Sequence, residues 1–252
     1  MNNKLALITG AAKGLGRHIA IALAKQKIDL ILHYNTSKKE MESLLLELEQ
    51  YEISIFPVQL DFIDGAKVES FFMEKINPIL IKRDNKGLDY LINNAGIYEF
   101  DYLNKITSDY IDKVFSINFK APMLLIRDCM DKLNDHGRII NILSTTADRP
   151  YKRMIIYGAS KAALKNAVIA MISDFGKRGI TVNNIIPGLL EQDSCKSKIN
   201  EGIMNKIYEK NYAIKRKGGV DDVIKLLLFL IKDETNWISG ESIEISGGYL
   251  YQ

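Results

Sequence analysis

The chain has 252 residues, of which 47% are hydrophobic and 26% charged, enough apolar material for a large core in a soluble chain. Its 34 lysines and arginines against 31 aspartates and glutamates leave a net charge of only +3, and the basic residues are dispersed, which argues against a nucleic-acid-binding surface. Two cysteines, Cys129 and Cys195, and three histidines, His18, His33 and His136, stand in no metal-ligand spacing; no metal site is expected, and two distant thiols suit a reducing cytoplasm.

Short apolar runs alternate with helix-length segments. LALIT (5–9) reads as a strand and runs straight into glycine-rich sequence, too short for a signal peptide. Further strands are expected at 28–34, 53–58, 88–93, 137–143, 179–186 and 241–246. Helices are expected over 14–26, 38–50, 64–82, 108–133, 155–177 and 219–231, with Asp64 and Ser108 as N-caps and Asp109 as a first-turn acid. The strands at 5–9, 28–34 and 137–143 are nearly continuous in apolar residues, as expected when both sheet faces are covered. No run reaches the ~18 continuous apolar residues of a membrane span; VIKLLLFLI (223–231) is interrupted by Lys225 and reads as a core helix.

This rhythm predicts an α/β fold: a single domain over 1–252, built on a doubly wound parallel seven-stranded sheet with helices on both faces. One segment, 188–218, breaks the rhythm with helical content but no strand before it. It is expected to be a lid over a site at the strands' C-terminal ends, with Ile199, Ile203, Met204 and Ile207 as apolar positions.

TGAAKGLG (9–16) lies between the first strand and the first helix, with glycines at Gly10, Gly14 and Gly16. Glycine permits a tight turn and close backbone approach to a pyrophosphate, and the helix that follows offers free N–H groups and a positive dipole end. At the other end, Tyr157 and Lys161 are four residues apart on a predicted helix and so share a face. A tyrosine hydroxyl, with a pKa of ~10, is a poor proton donor or acceptor at neutral pH unless a nearby cation stabilises its phenolate. Taken alone, the pair reads as two exposed side chains at a spacing that arises by chance in many helices.

The order of five motifs alters that reading. Thr9–Gly16, NNAG (93–96), YGASK (157–161), NNIIPG (183–188) and ISGESIEISGGY (238–249) follow one another at spacings that resemble the short-chain dehydrogenase/reductases nearly end to end, most closely the 3-oxoacyl-[acyl-carrier-protein] reductases. The resemblance implies a Rossmann-type fold and a catalytic tetrad of Asn118, Ser144, Tyr157 and Lys161. Ser144 would bind the carbonyl oxygen, Tyr157 would give the proton, Lys161 would also hold the nicotinamide ribose, and Asn118 would kink the fourth helix and hold a water behind Lys161.

It also implies cofactor contacts at Gly10, Ala12, Lys13, Gly14, Leu15 and Gly16, at Asp61 and the Phe62 backbone beside the adenine, and at Asn94, Ala95 and Gly96 near the adenosine ribose. Pro187, Gly188 and Leu190 would follow the sixth strand, where Gln192 stands in place of the family's threonine. The second strand ends in Tyr34, Asn35, Thr36 and Ser37, with no carboxylate before Glu40; Lys13 lies in the glycine loop, where similar NADP-using enzymes carry a basic residue, and Lys38 is within reach, which favours NADP(H) over NAD(H).

The expected reaction is reduction of a ketone, foremost a 3-oxoacyl thioester on acyl carrier protein. Arg178 matches a docking arginine of such reductases, whereas the second docking position falls on the acidic Asp135. Arg149, Lys152 and Arg153 offer another basic patch for a carrier, a phosphopantetheine arm or an anionic small substrate. A reductase of a free sugar, steroid or ketone is the alternative; a non-catalytic NADP-binding regulator is a third, disfavoured by the complete tetrad. The resemblance further implies a homodimer paired through the long fourth and fifth helices, or a homotetramer of such dimers joined through the last strand; the C-terminal YLYQ would suit a buried interface or form a loose tail.

Overall fold

A computed structural model describes residues 3–84, 86–191 and 201–249. The opening apolar run forms β1 (Leu5–Ile8), with all four side chains buried. After it come α1 (Gly14–Lys25), β2 (Asp29–Tyr34), α2 (Lys38–Leu48), β3 (Ile55–Gln59), α3 (Gly65–Phe71), α4 (Asn77–Lys82) and β4 (Leu88–Asn93). The second half runs α5 (Ser108–Phe115), α6 (Ala121–Cys129), β5 (Leu133–Ile142), α7 (Ile155–Gly176), β6 (Thr181–Pro187), α8 (Glu201–Asn211), α9 (Val220–Leu230) and β7 (Ser242–Ile245).

The strands form one seven-stranded sheet in the order β3-β2-β1-β4-β5-β6-β7, with every neighbouring pair parallel. The chain winds outward from β1 to β3, then crosses back to place β4 on the other side of β1. That reversal is the switch point where doubly wound sheets leave a crevice beyond their C-terminal strand ends. One core joins α1, α2 and α9 to Ile8, Leu30, Leu32, Ile92 and Ile140; the other joins α3, α6 and α7 to Leu7, Ile31, Leu91, Ile139 and Val182. Successive strand residues feed opposite cores, which is why these strands read as unbroken apolar runs. β3 is an edge strand and so tolerates Pro57.

Four departures from the sequence reading are local. The helix expected over 108–133 is divided: α5 and α6 are joined by a π-helical turn, Ser116–Lys120, and the chain enters β5 at Leu133. The start of β5 bulges, since Leu88 pairs with Leu133 but Tyr90 pairs with Arg138, and His136 adopts a φ of 62°. A similar π turn, Phe72–Ile76, divides 64–82 into α3 and α4. Asp64 caps α3 as expected, accepting the Lys67 N–H at 3.2 Å. Ser108 is not the cap of α5; Thr107 has the extended backbone of an N-cap and accepts the Tyr110 N–H at 3.2 Å.

A line of buried amides crosses the sheet. Asn93 donates to Asn141 at 2.9 Å, Asn141 to Asn184 at 3.2 Å, and Asn184 to Ser242 at 3.0 Å. These polar rungs fix the register of β4 to β7 just below the catalytic end. By length and composition α7 would suffice to cross a membrane, but its Leu164, Val168 and Phe175 are buried in the second core. The run 223–231 falls mostly in α9, packed against the opposite face.

Candidate active site

Thr9 and Asn94 shape the glycine loop between them. Thr9 Oγ1 accepts the N–H groups of Asn94 and Ala95 at 3.0 and 2.9 Å, and Asn94 Nδ2 donates to the carbonyls of Thr9 and Gly10 at 2.9 and 3.1 Å. The Asn94 amide therefore braces the loop. Gly10 needs its glycine twice over: its φ is +65°, and a Cβ would lie 2.9 Å from Ala95 Cα. At Gly16 a Cβ would lie 2.2 Å from the Gly10 carbonyl oxygen, so only glycine lets α1 begin beneath the loop.

The first turn of α1 has neither a side-chain cap nor an acidic residue. Its N–H groups and positive dipole end are left for an anion, which fits the diphosphate of a dinucleotide. Ala12 and Leu15 are buried and offer backbone only, whereas Lys13 is exposed and makes no ion pair among the described residues. At the end of β2, Tyr34 and Asn35 are half-buried and Thr36 is exposed; the first acid is Glu40, inside α2. Lys38 lies 3.9 Å from Glu42. Asp61 is exposed and accepts the Ile63 N–H at 3.0 Å, while the Phe62 ring is buried.

Beyond β6, Gly188 donates to Ile245 at 3.1 Å, and a Cβ on it would press on Ser246 at 3.0 Å. Tyr208 of α8 and Tyr212 just past its end hold the next residue: the Leu189 N–H donates to the Tyr212 hydroxyl at 3.0 Å, and the Tyr208 hydroxyl donates to the Leu189 carbonyl. Leu190 is buried beside Gly218. Ile207 packs against these tyrosines and Ile203 is exposed; Gln192, Cys195, Ile199, the side chain of Met204 and the tail 250–252 lie outside the described residues.

At the other end of the crevice, Ser144 caps a 3₁₀ turn, Thr145–Ala147. Its Oγ accepts the Thr146 N–H at 3.2 Å and lies 3.0 Å from Thr146 Oγ1. With Thr146 donating both hydrogen bonds, the two lone pairs of Ser144 are filled and its own proton is directed elsewhere. Thr145 is buried. Against this turn packs the start of α7, where a Cβ on Gly158 would lie 2.9 Å from the Thr146 carbonyl oxygen.

Tyr157 is half-buried in the first turn of α7, its ring 5.8 Å from that of Tyr98. Lys161 Nζ lies 5.9 Å from the Tyr157 ring centre and donates to the Ile142 carbonyl at 2.9 Å. Burial lowers the Lys161 pKa to about 8. Asn118 sits in the π turn, fully buried. Its amide accepts the Ile97 N–H at 2.9 Å and donates to the Ile97 carbonyl at 3.0 Å and to Ser160 Oγ at 3.1 Å; Ser160 in turn donates to the Tyr157 carbonyl at 2.7 Å. Gly96 lies between the two halves, since a Cβ there would meet Asn118 Oδ1 at 3.3 Å and Lys161 Nζ at 3.4 Å. The fold thus brings Asn118, Ser144, Tyr157 and Lys161 to one end of β4, β5 and α7.

Two supporting residues escape the motif reading. Met154, at the N-cap of α7, offers no side-chain cap; the buried Asp101 supplies one from the β4–α5 connection, accepting the N–H groups of Ile155 and Ile156 at 2.9 and 3.0 Å. Thr146 is the other. Neither belongs to a motif, and the pairing of Asp101 with α7 exists only in the folded chain.

The basic residues are less available than their sequence positions imply. Arg178 is bound to Asp135 at 2.8 Å and donates to the carbonyls of Met130 and Leu133. Arg149 pairs with Glu244 and lies 5.8 Å over the Tyr249 ring; Arg153 lies 5.0 Å over Tyr102, and Lys152 is exposed.

A phosphate-binding helix start at one end of the crevice and a tyrosine backed by a buried lysine at the other are the two halves of a dinucleotide-dependent oxidoreductase. The short chain dehydrogenase family model matches residues 4–202, and the chain belongs to that family. It is 29% identical to the versicolorin reductase stcU of Emericella nidulans over 98% of this chain and 96% of that protein. It is 27% identical to the 3-oxoacyl-[acyl-carrier-protein] reductase FabG of Staphylococcus epidermidis over 98% of each. The angucycline C-6 ketoreductase LanV, solved with bound NADP, superposes with a TM-score of 0.89 at 28% identity over 97% of this chain and 95% of that one. Other solved relatives were also determined in complex with NADP or NADPH.

Proposed function

We propose that this oxidoreductase reduces a ketone on a free, diffusible molecule, with Asn118, Ser144, Tyr157 and Lys161 as its working residues. The bound nicotinamide supplies the hydride. Ser144, its lone pairs filled by Thr146, donates its proton as a hydrogen bond to the carbonyl oxygen as negative charge grows there. Tyr157 delivers the proton that completes the alcohol. The nearby Lys161 cation makes the tyrosyl proton easier to release. Asn118, through Ser160, holds the first turn of α7 at this spacing. The described end of the expected lid is anchored where Tyr208 and Tyr212 grip Leu189.

The observation that carries the free-ketone reading is the ion pair between Arg178 and Asp135. Where the resembling carrier-dependent reductases present a docking cation, this chain presents a neutralised pair whose guanidinium also serves two backbone carbonyls. An acidic carrier gains little there. The relatives named for versicolorin and for an angucycline ketone support the same reading.

A 3-oxoacyl thioester on acyl carrier protein is the second reading, favoured by the similarity to FabG and by the exposed Lys152 beside Arg153. NADPH oxidation with tetralone and decalone, a sugar, a steroid, acetoacetyl-coenzyme A and the same acyl group on carrier protein separates the two. Free ketones should turn over, and attaching the acyl group to the carrier should not lower its KM. A KM that falls about tenfold on the carrier and returns in Arg178→Ala establishes the carrier reading instead.

The same proposal includes a cytoplasmic location, where a reducing NADPH pool is available, and a homodimer or homotetramer. Supporting the assembly, α7 is apolar on its outer side too, with Ile155 and Ile169 exposed. Light scattering in solution tests it, and a monomer at micromolar concentration contradicts it.

A further inference from the structure

His33 is a buried imidazole at the penultimate position of β2, 3% exposed, and none of the roles above uses it. Its Nδ1 lies 3.2 Å from the N–H of Gly10, and its Nε2 lies 3.0 Å from the carbonyl oxygen of Leu60. The first contact requires an acceptor and the second a donor. One species meets both: the neutral ring with its proton on Nε2. A second proton would set Nδ1–H against the Gly10 N–H, and burial already lowers the His33 pKa to about 4.

The ring also lies flat on Phe62, with centres 4.0 Å apart and planes 3° from parallel, and Phe71 closes its edge at 5.8 Å. The His33 main-chain carbonyl accepts the N–H of Ala11 at 2.8 Å. One residue therefore grips two consecutive residues of the glycine loop and, on its other side, the connection that carries Asp61 and Phe62. Those two loops come from different βα units, and their separation decides whether phosphates and adenine are met together.

We propose that His33 is a positioning residue that sets the spacing between the glycine loop and the Leu60–Phe62 loop, so that NADPH meets a pre-formed site. This rests on reading both loops as cofactor contacts. Pre-formation matters because a loop ordered only on binding subtracts its ordering entropy from the affinity. The role belongs to binding and not to chemistry, since His33 lies at the opposite end of the crevice from Tyr157.

The variants divide the two hydrogen bonds. His33→Phe keeps a flat ring on Phe62 and loses both; His33→Asn places an acceptor where Nδ1 stands. NADPH dissociation constants by fluorescence titration, with kcat at saturating NADPH, provide the readout. His33→Phe should raise the dissociation constant roughly tenfold, His33→Asn about threefold, and kcat should stay within about twofold. Unchanged NADPH affinity in folded His33→Phe overturns the proposal, as does a loss of kcat at unchanged affinity.

Gly16→Ala separates this from the underlying reading, because its Cβ collides with the Gly10 carbonyl whatever stands at 33. If Gly16→Ala keeps full affinity, the loop reading fails; if it loses affinity and His33→Phe does not, His33 alone fails. Should His33→Phe not fold, nitrogen-15 histidine spectra of the wild type decide. His33 should be neutral with its proton on Nε2 and stay so down to about pH 5.5. A proton on Nδ1, or a ring titrating near pH 6.5, overturns the proposal.

Discussion

Lys161 donates its ammonium to the carbonyl oxygen of Ile142 at 2.9 Å, tying the catalytic helix to the end of the strand that delivers Ser144. The contact fixes the cation one helical turn from Tyr157, but it fixes it out of water. Burial lowers its pKa from 10.5 to about 8. Below about pH 8 the folded protein carries a poorly solvated charge; between about 8 and 10.5 the folded lysine gives up its proton while the unfolded one keeps it. Stability attributable to this group therefore rises with pH across that window.

Lys161→Met should accordingly be more stable than the wild type at pH 7, by up to ~3 kcal/mol less ~1 kcal/mol for the stranded Ile142 carbonyl. The gap should narrow as the pH is raised from about 8 to 10, while activity is absent throughout. Urea denaturation of both proteins at several pH values checks this. A gap that is constant, or that widens toward alkaline pH, contradicts it.

Asp101 is the N-terminal cap of α7 supplied from another part of the chain. Asp101→Ala should cost about 1–2 kcal/mol of stability and lower kcat more than NADPH affinity, because the first turn of α7 carries Tyr157. Asp101→Asn keeps one acceptor and should lie between. Urea denaturation and steady-state kinetics at a temperature where all three are folded decide; unchanged kcat in Asp101→Ala would show that α7 holds its first turn alone.

Thr146 orients Ser144. Thr146→Val removes the hydroxyl 3.0 Å from Ser144 Oγ and leaves the backbone N–H in place. A drop of about three- to tenfold in kcat with unchanged NADPH KM is expected, with Thr146→Ser restoring activity. Equal kcat in all three proteins would mean that the Ser144 proton needs no such direction.

Lys13 is the cation of the glycine loop and makes no ion pair among the described residues. Lys13→Met should raise the NADPH KM about tenfold and leave the NADH KM within about twofold, since only the 2′-phosphate distinguishes the two cofactors. Parallel changes for both cofactors would assign the preference to the Tyr34–Thr36 turn alone.

Much of this was legible in the sequence because it is local. Continuous apolar strands, helix-length spacers and the glycine loop each encode their own conformation within a few residues; the helical repeat puts Tyr157 and Lys161 on one face, and the order of the motifs makes them a candidate pair. What was not legible depends on partners distant in the chain. Asp101 is an ordinary loop acid until α7 places two N–H groups above it, and His33 is a strand histidine until Gly10 and Leu60 arrive on either side. The opposite charges of Arg178 and Asp135 are visible in the sequence; their pairing across 43 positions is not. At Asn118 the resemblance implied a kink, but its form as a π turn was not legible, since nothing in SINFK forbids regular helix; Ile97 and Ser160 claim the side chain. Ser108 and Thr107 are adjacent hydroxyls, and only the backbone angles separate cap from first turn.

In the proposed reaction Tyr157 gives the proton while NADPH gives the hydride. Its most direct measurement is NADPH oxidation by wild type and Tyr157→Phe with one ketone that the wild type reduces, with NADPH affinity titrated in parallel. Tyr157→Phe should lose about a hundredfold or more in kcat at an affinity within about twofold of the wild type. A Tyr157→Phe enzyme that still turns over at a comparable rate would contradict it.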